Sequence, residues 1–135
     1  MLWQAGRGDS GRAQASAGID SQMFTDREFQ IAASRALCET LEEQGDARTQ
    51  VREINHWAYF PDADSRGDFV ERCIEAGFFL RATSEPTGPW EGFGAQLWHR
   101  DVPSDEAMEQ VTLLLYDLAL DYGGDYDGWE TRIVA

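Results

Sequence analysis

The segment GGDYDGWE, residues 123–130, joins the longest apolar helix pattern of the chain to its last strand pattern. Two adjacent glycines, Gly123 and Gly124, are typical helix stop signals. Carboxylates and aromatic rings then follow closely, which would suit a catalytic loop, a metal loop, a partner-binding surface or a packed helix-to-strand connection. These side chains are Asp125, Tyr126, Asp127, Trp129 and Glu130. The sequence features outside this segment have to distinguish between the four interpretations.

The elements around this segment follow from hydrophobic periodicity and from helix caps. Helix patterns begin at Thr25, at Ser65 and at Ser104, and the first carries a capping box with Glu28 and a hydrophobic staple from Phe24. Strand patterns cover residues 54–60, 78–83, 90–99 and 126–134, while residues 46–52 suggest a polar linker. Gly92 and Gly94 weaken the third strand pattern or mark a bulge.

After the first helix the order is strand, helix, strand, strand, helix, strand. With short connections, this order favours an α+β sandwich of the ferredoxin-like βαββαβ type, with an additional N-terminal helix. We expect one domain over residues 23–135 and a flexible tail over residues 1–22. Both crossover helices would cover one face of the sheet. The first helix would pack on an edge or across the other face, which is otherwise a natural partner surface.

The charge and composition exclude several classes of protein. The formal net charge is −14, and all eleven basic residues are arginine. So acidic a domain should repel nucleic acid and anionic membranes and should attract basic protein segments. No apolar run is long enough for a membrane span, and no export signal is visible. We therefore expect Cys38 and Cys73 to be free thiols in a reducing compartment.

Catalytic and metal-binding interpretations find little support in the sequence. His56 and His99 fall on strands that should be neighbours, so a hydrolase using them, or a small-ligand pocket near them, is an alternative. No nucleophile motif, phosphate loop or zinc motif accompanies them. Asp62 and Asp64 only loosely follow a calcium loop, in which Arg66 replaces an oxygen ligand. We expect no enzyme activity, no metal and no cofactor.

A protein-binding interpretation remains. Aromatic anchors and carboxylates suit contact with a partner that is rich in arginine. The candidate contact residues are Trp57, Tyr59, Trp98, Asp125, Tyr126, Asp127, Trp129 and Glu130. An equally weighted alternative is that Tyr126 and Trp129 pack the sheet while Asp127 and Gly128 form a turn or bulge. Exposed strand aromatics are also typical of RNA-recognition modules, but the basic strand motif of such modules is missing here.

Three stretches resemble the regulator of ribonuclease E activity B (RraB) family: NHWAYF at residues 55–60, EAGF at residues 75–78 and YGGDYDGWET at residues 122–131. The resemblance covers residues 25–134, and its most telling part is the YDGW sequence after the last helix. It implies an α+β sandwich and a cytoplasmic, non-catalytic protein that binds ribonuclease E and lowers messenger RNA decay. It also implies contact with the arginine-rich, noncatalytic scaffold region of that enzyme.

Overall fold

A computed structural model describes residues 2–3, 26–89 and 91–135 of the chain. Thr25 and Phe24, which the sequence assigns to the first helix cap, lie outside the described residues, as does Trp90. The same holds for the predicted flexible tail, residues 1–22, except for the two residues at 2–3.

The described residues form helices and strands in the predicted order. The helices are α1 (Asp26–Glu43), α2 (Ala63–Glu75) and α3 (Asp105–Asp121). The strands are β1 (Leu2–Trp3), β2 (Arg52–Phe60), β3 (Phe79–Ser84), β4 (Phe93–Asp101) and β5 (Asp125–Thr131). The chain is therefore α+β, and the short β1 was not predicted.

Two helix starts show how local sequence sets the boundaries. The Ser104 hydroxyl caps α3 by accepting a 3.1 Å hydrogen bond from the Ala107 backbone N–H, as predicted. The cap of α2 was predicted at Ser65, and this was wrong. Asp62 is the N-cap, and its carboxylate accepts a 2.7 Å hydrogen bond from the Ser65 backbone N–H. Asp is a strong N-cap residue, so the helix begins earlier than the Ser65 pattern indicated.

All strand pairs are antiparallel, and the strands lie in the order β1-β5-β2-β4-β3. The two longest strands, β2 and β4, occupy the centre. The connection through α2 carries the chain from β2 across β4 to β3, and the connection through α3 carries it from β4 across β2 to β5.

The three described helices share one face of the sheet. On β2 this face carries Ile54, His56, Ala58 and Phe60, all at most 2% exposed. The helix α1 packs against α3 and adjoins β1 and β5. Its buried residues Leu37, Cys38 and Leu41 belong to the same core. The additional helix therefore does not cover the opposite face, which we call the open face.

The segment before β2 differs from the prediction of a polar linker. Asp46 and Arg52 form a buried ion pair, and each residue is 2% exposed. The Asp46 carboxylate also accepts hydrogen bonds from the backbone N–H groups of Arg48 (2.8 Å) and Val134 (3.0 Å). Arg52 donates to the backbone carbonyl oxygens of Gln50 (3.1 Å) and Arg132 (3.2 Å). This pair ties the end of α1 to the start of β2 and to the last residues of the chain.

Candidate functional site

The open face brings together five of the eight candidate contact residues. In the antiparallel register, Trp98 and Glu130 lie on either side of Asn55, and Asp125 lies opposite Tyr59. Directly opposed residues of an antiparallel pair project from the same side of the sheet. The five residues that share this side are Trp57, Tyr59, Trp98, Asp125 and Glu130, of which Asp125 is exposed and the others are half-buried.

Trp98 lies in a stack of side chains on this face. Its ring stacks on Phe79 with the centroids 4.7 Å apart, and the Arg81 guanidinium lies 5.0 Å from the Trp98 ring centroid. Arg81 also donates hydrogen bonds to Asn55 Oδ1 (3.0 Å) and to Glu53 Oε1 (2.6 Å). An arginine held between an aromatic face and two acceptors loses little further freedom when a partner binds. Phe79 and Arg81 were not among the predicted contact residues.

The other three candidate contact residues are buried. Tyr126, Asp127 and Trp129 are 1%, 4% and 0% exposed. Trp57 pairs with Gly128 and Ala58 pairs with Tyr126, so Asp127 is the extra residue of a β-bulge. Gly128 has a φ of 112°, a conformation that favours glycine. Tyr126 and Trp129 are thus packed and Asp127 is in a bulge, as in the packing alternative, and a role of these three side chains in partner contact stays a prediction.

The two histidines do come together, but on the buried face. Their ring centroids are 5.0 Å apart, and His56 Nδ1 lies 2.9 Å from the Tyr126 hydroxyl. Burial lowers the pKa of both imidazoles, and the neighbouring His99 lowers that of His56 further. His56 is 1% exposed, so a substrate in solvent has no access to it in this conformation. The arrangement is that of a buried and a half-buried histidine with lowered pKa values, and it does not favour the hydrolase alternative.

The described residues also offer no obvious metal centre or reactive thiol. Among them, no three His, Cys, Asp or Glu side chains converge on a point where an ion would bind. Cys38 and Cys73 are free and fully buried. Burial raises the pKa of the Cys38 thiol to about 11 and that of Cys73 to about 12. Thiols with such pKa values are mostly protonated near neutral pH and react slowly.

A pocket of about 230 Å³ lies at the end of the open face where β2 begins. We call it the arginine pocket, and neither histidine lines it. Its lining residues are Arg52, Glu53, Asn55, Arg81, Arg100 and Arg132. Sequence reasoning missed this pocket because its arginines are far apart in the chain and carry no motif. Only the strand register places Arg100 opposite Glu53 and leaves Arg132 just beyond β5.

Comparisons with known proteins bear on these observations. No helix in the described parts of the chain is long and apolar enough to cross a membrane. No curated protein matches the chain. A family model described as regulator of ribonuclease activity B (RraB) matches residues 31–131, which include α2, α3, β2 to β5 and most of α1. Because this match spans well over half of the sequence, the chain belongs to the RraB family.

Proposed function

We propose that the protein binds ribonuclease E and inhibits RNA degradation through protein–protein contact, without catalysing a reaction itself. The observation that carries the proposal is a set of aromatic and acidic side chains on an open sheet face of an RraB family member. The family is a regulatory one, and its description names ribonuclease activity. The lowered pKa values of the buried His56 and the half-buried His99 agree with a role that needs no acid–base chemistry.

The proposed contact surface is the open face around Trp57, Tyr59 and Trp98. Tryptophan and tyrosine dominate the energetics of many protein interfaces, because they bury a large area at little cost in side-chain entropy. Asp125 and Glu130 add carboxylates, which pair well with arginine. A net charge of −14 would speed the approach of an arginine-rich segment. We therefore propose the arginine-rich, noncatalytic region of ribonuclease E as the partner and place the encounter in the cytoplasm.

The strand order supports a finer assignment of the fold. Apart from β1, the sheet order β5-β2-β4-β3 with two crossover helices on one face is the arrangement of a ferredoxin-like βαββαβ sandwich. We infer that the protein is such a sandwich, with α1 added beside α3. The open face is then the side of the sheet that none of the described helices covers, and we propose that a partner binds there.

The direct test is a titration of the purified protein with the arginine-rich region of ribonuclease E at several salt concentrations. We expect binding that weakens as salt is added, because charge attraction contributes to it. Trp57→Ala and Trp98→Ala should each weaken binding about tenfold or more, as interface aromatics commonly do. Leu120→Ala is the matched control, because Leu120 is 53% exposed on the helical side.

A second measurement separates binding from inhibition. The cleavage of an RNA substrate by ribonuclease E should slow when the protein is added, and the Trp57→Ala variant should slow it less. Absence of salt-sensitive binding to ribonuclease E would remove the proposed partner. Binding with no effect on cleavage would remove inhibition and leave only the contact.

A further inference from the structure

The arginine pocket differs from the rest of this acidic domain. Seven of the nine described arginines form an ion pair with a described carboxylate within 4 Å. Arg100 and Arg132 are the two described arginines that do not, and both are exposed and line the arginine pocket. In a chain with more than twice as many acidic as basic residues, two arginines without a described carboxylate partner in one pocket are unexpected.

The lining of the pocket carries an excess of positive charge. The charge of Arg52 is neutralised by its buried pair with Asp46. Against the remaining arginines, Arg81, Arg100 and Arg132, the described lining holds one carboxylate, that of Glu53, which pairs with Arg81. Outside the lining, Glu130 also interacts with Arg81. Arg81 contributes most to lowering the pKa of Glu53, and Arg100 and Arg132 lower it further. Like charges held close together repel one another, so this end of the open face is suited to an added anion.

Part of the pocket is already fixed in place. Arg81 is held by the Trp98 ring, by Asn55 and by Glu53. The Arg52 guanidinium hydrogen-bonds to the backbone carbonyl of Arg132, which anchors the chain at the pocket rim. Arg100 and Arg132 then provide exposed guanidinium groups at the opening. Guanidinium groups bind planar carboxylates with two parallel hydrogen bonds, so this lining fits one carboxylate head group.

We propose that the arginine pocket binds the carboxylate of an acidic side chain in a protein segment that lies along the open face. This inference rests on the proposed function, because it assumes that a partner covers that face. A carboxylate fits better than a nucleic-acid phosphate, since the repulsion from a −14 domain grows with each further phosphate of a polyanion. The pocket volume of about 230 Å³ also suits one side-chain head group better than a polymer.

The pocket would set the direction of the partner segment. Glu53 and Tyr59 are both on β2 and are separated by about 20 Å at the usual rise of a strand. Asp125 lies opposite Tyr59, so the far end of the open face is acidic. The segment that fits this face has an acidic residue at the arginine pocket and a basic residue near Asp125. A segment with the reversed order would place like charges together at both ends.

The pocket can be tested without ribonuclease E. The probe is a short peptide with two glutamates and with blocked ends, titrated against the labelled protein and followed by NMR. We expect the side-chain N–H signals of Arg81, Arg100 and Arg132 and the Trp98 indole signal to shift. Inorganic phosphate and a single-stranded RNA oligonucleotide are titrated in parallel, and both should bind more weakly than the peptide.

Substitutions in the arginine pocket should change the affinity for the peptide in opposite directions. The double variant Arg100→Gln and Arg132→Gln should weaken peptide binding about tenfold or more, because it removes charge-assisted hydrogen bonds. Glu53→Gln should tighten peptide binding several-fold, because Glu53 competes with the peptide for the same arginines. The double variant Arg35→Gln and Arg72→Gln is the matched control: it also removes two positive charges, but it lies on α1 and α2, where Arg35 pairs with Glu109 and Arg72 pairs with Glu75. Circular dichroism checks that each variant is folded.

The pocket proposal is wrong if the peptide does not bind, or if the double variant of Arg100 and Arg132 binds it as well as the control variant of Arg35 and Arg72 does. It is also wrong if phosphate or RNA binds more tightly than the peptide. Failure of the two proposals can be told apart. Peptide binding without ribonuclease E binding removes only the proposed partner, and ribonuclease E binding that the double variant leaves unchanged removes only the arginine pocket.

Discussion

The indole Nε1 of Trp129 donates a 3.2 Å hydrogen bond to the hydroxyl of Ser34, 95 positions earlier in the chain. Trp129 is in β5, Ser34 is in α1, and both side chains are buried. This contact holds the additional helix against the helix-covered face of the sheet. Trp129 of the YDGW segment therefore stabilises the position of α1. Because α1 is held on this side of the sheet, none of the described helices covers the open face.

Replacing Trp129 should destabilise the fold. We expect Trp129→Ala to lower the free energy of unfolding by about 3–5 kcal/mol, since a fully buried aromatic side chain leaves a large cavity. Trp129→Phe should cost less, because it keeps most of the buried ring and loses the hydrogen bond. Ser34→Ala should cost about 1–3 kcal/mol through the unpaired indole N–H. Urea denaturation measures all three, and an Ala variant of unchanged stability with impaired binding would instead identify Trp129 as an interface anchor.

Much of the fold could be predicted because the sequence pattern is regular. The alternation of Ile54, His56, Ala58 and Phe60 with Asn55, Trp57 and Tyr59 follows the two-residue period of a strand, and the structure places the two sets on opposite faces of β2. The helix stop signal at Gly123 also worked, since Gly123 has a positive φ angle just after α3, and Gly45 and Gly77 adopt positive φ angles after α1 and α2. The position of α1 was left open, because a helix with one apolar stripe packs equally well on either side of a sheet.

The face on which each side chain of β5 lies could not be predicted from the sequence, for a physical reason. Within β5, the bulge at Asp127 interrupts the period of two, so alternation cannot separate buried from open positions there. Tyr126 and Trp129 face the helices, whereas Asp125 and Glu130 lie on the open face. The arginine pocket and the Asp46–Arg52 pair depend on distant residues that the register brings together, and no local pattern reports such contacts.

The buried pair of Asp46 and Arg52 should be strongly coupled. We expect Asp46→Asn to cost about 3–5 kcal/mol, because it leaves the Arg52 charge buried without a counterion. Arg52→Met should also destabilise. The double variant should cost less than the sum of the two single variants, with a coupling of about 1–3 kcal/mol. The exposed pair of Arg27 and Asp117 is the control, and its removal should cost less than about 1 kcal/mol.

The same pair should contribute to acid denaturation. Burial alone raises the pKa of Asp46, but hydrogen bonds from Arg52, Val134 and Arg48 outweigh burial and lower the pKa to about 2. Its folded pKa lies below the usual 3.8, so its stabilisation is present above that value and is lost as pH falls from about 4 towards 2. Unfolding curves of the wild type and of Asp46→Asn should therefore converge in this range. Curves that stay parallel down to pH 2 would contradict the assignment.

His56 and His99 should affect stability at a higher pH than Asp46 does. His56 and His99 have lowered pKa values in the folded state, whereas both titrate near 6.5 when unfolded. The unfolded state binds more protons below that value, so stability is full above it and falls as pH is lowered. The slope should reach up to about 1.4 kcal/mol per pH unit for each histidine. His56→Gln should flatten the decline between about pH 6.5 and 5, and an unchanged slope would show that His56 is protonated in the core.

The final prediction concerns Gly94, which lies between Tyr59 and Ser84 in the sheet. A Cβ at position 94 would overlap the Ser84 hydroxyl and lie 2.9 Å from Cε1 of Tyr59. Glycine here lets the Tyr59 ring lie over the strand, so Gly94→Ala should push the ring away. We expect a loss of about 1–3 kcal/mol in stability, typical of overpacking, and weaker binding of ribonuclease E.

Gly88→Ala is the matched control for this substitution, because a Cβ at position 88 meets nothing within 4 Å. It should leave stability unchanged or raise it slightly by restricting the unfolded chain. NMR contacts of the Tyr59 ring report its position directly, and urea curves report stability. If Gly94→Ala moves the ring but leaves binding intact, Tyr59 does not contact the partner. If neither the ring nor stability changes, the sheet relaxes around the methyl group and Gly94 is not what positions Tyr59 on the open face.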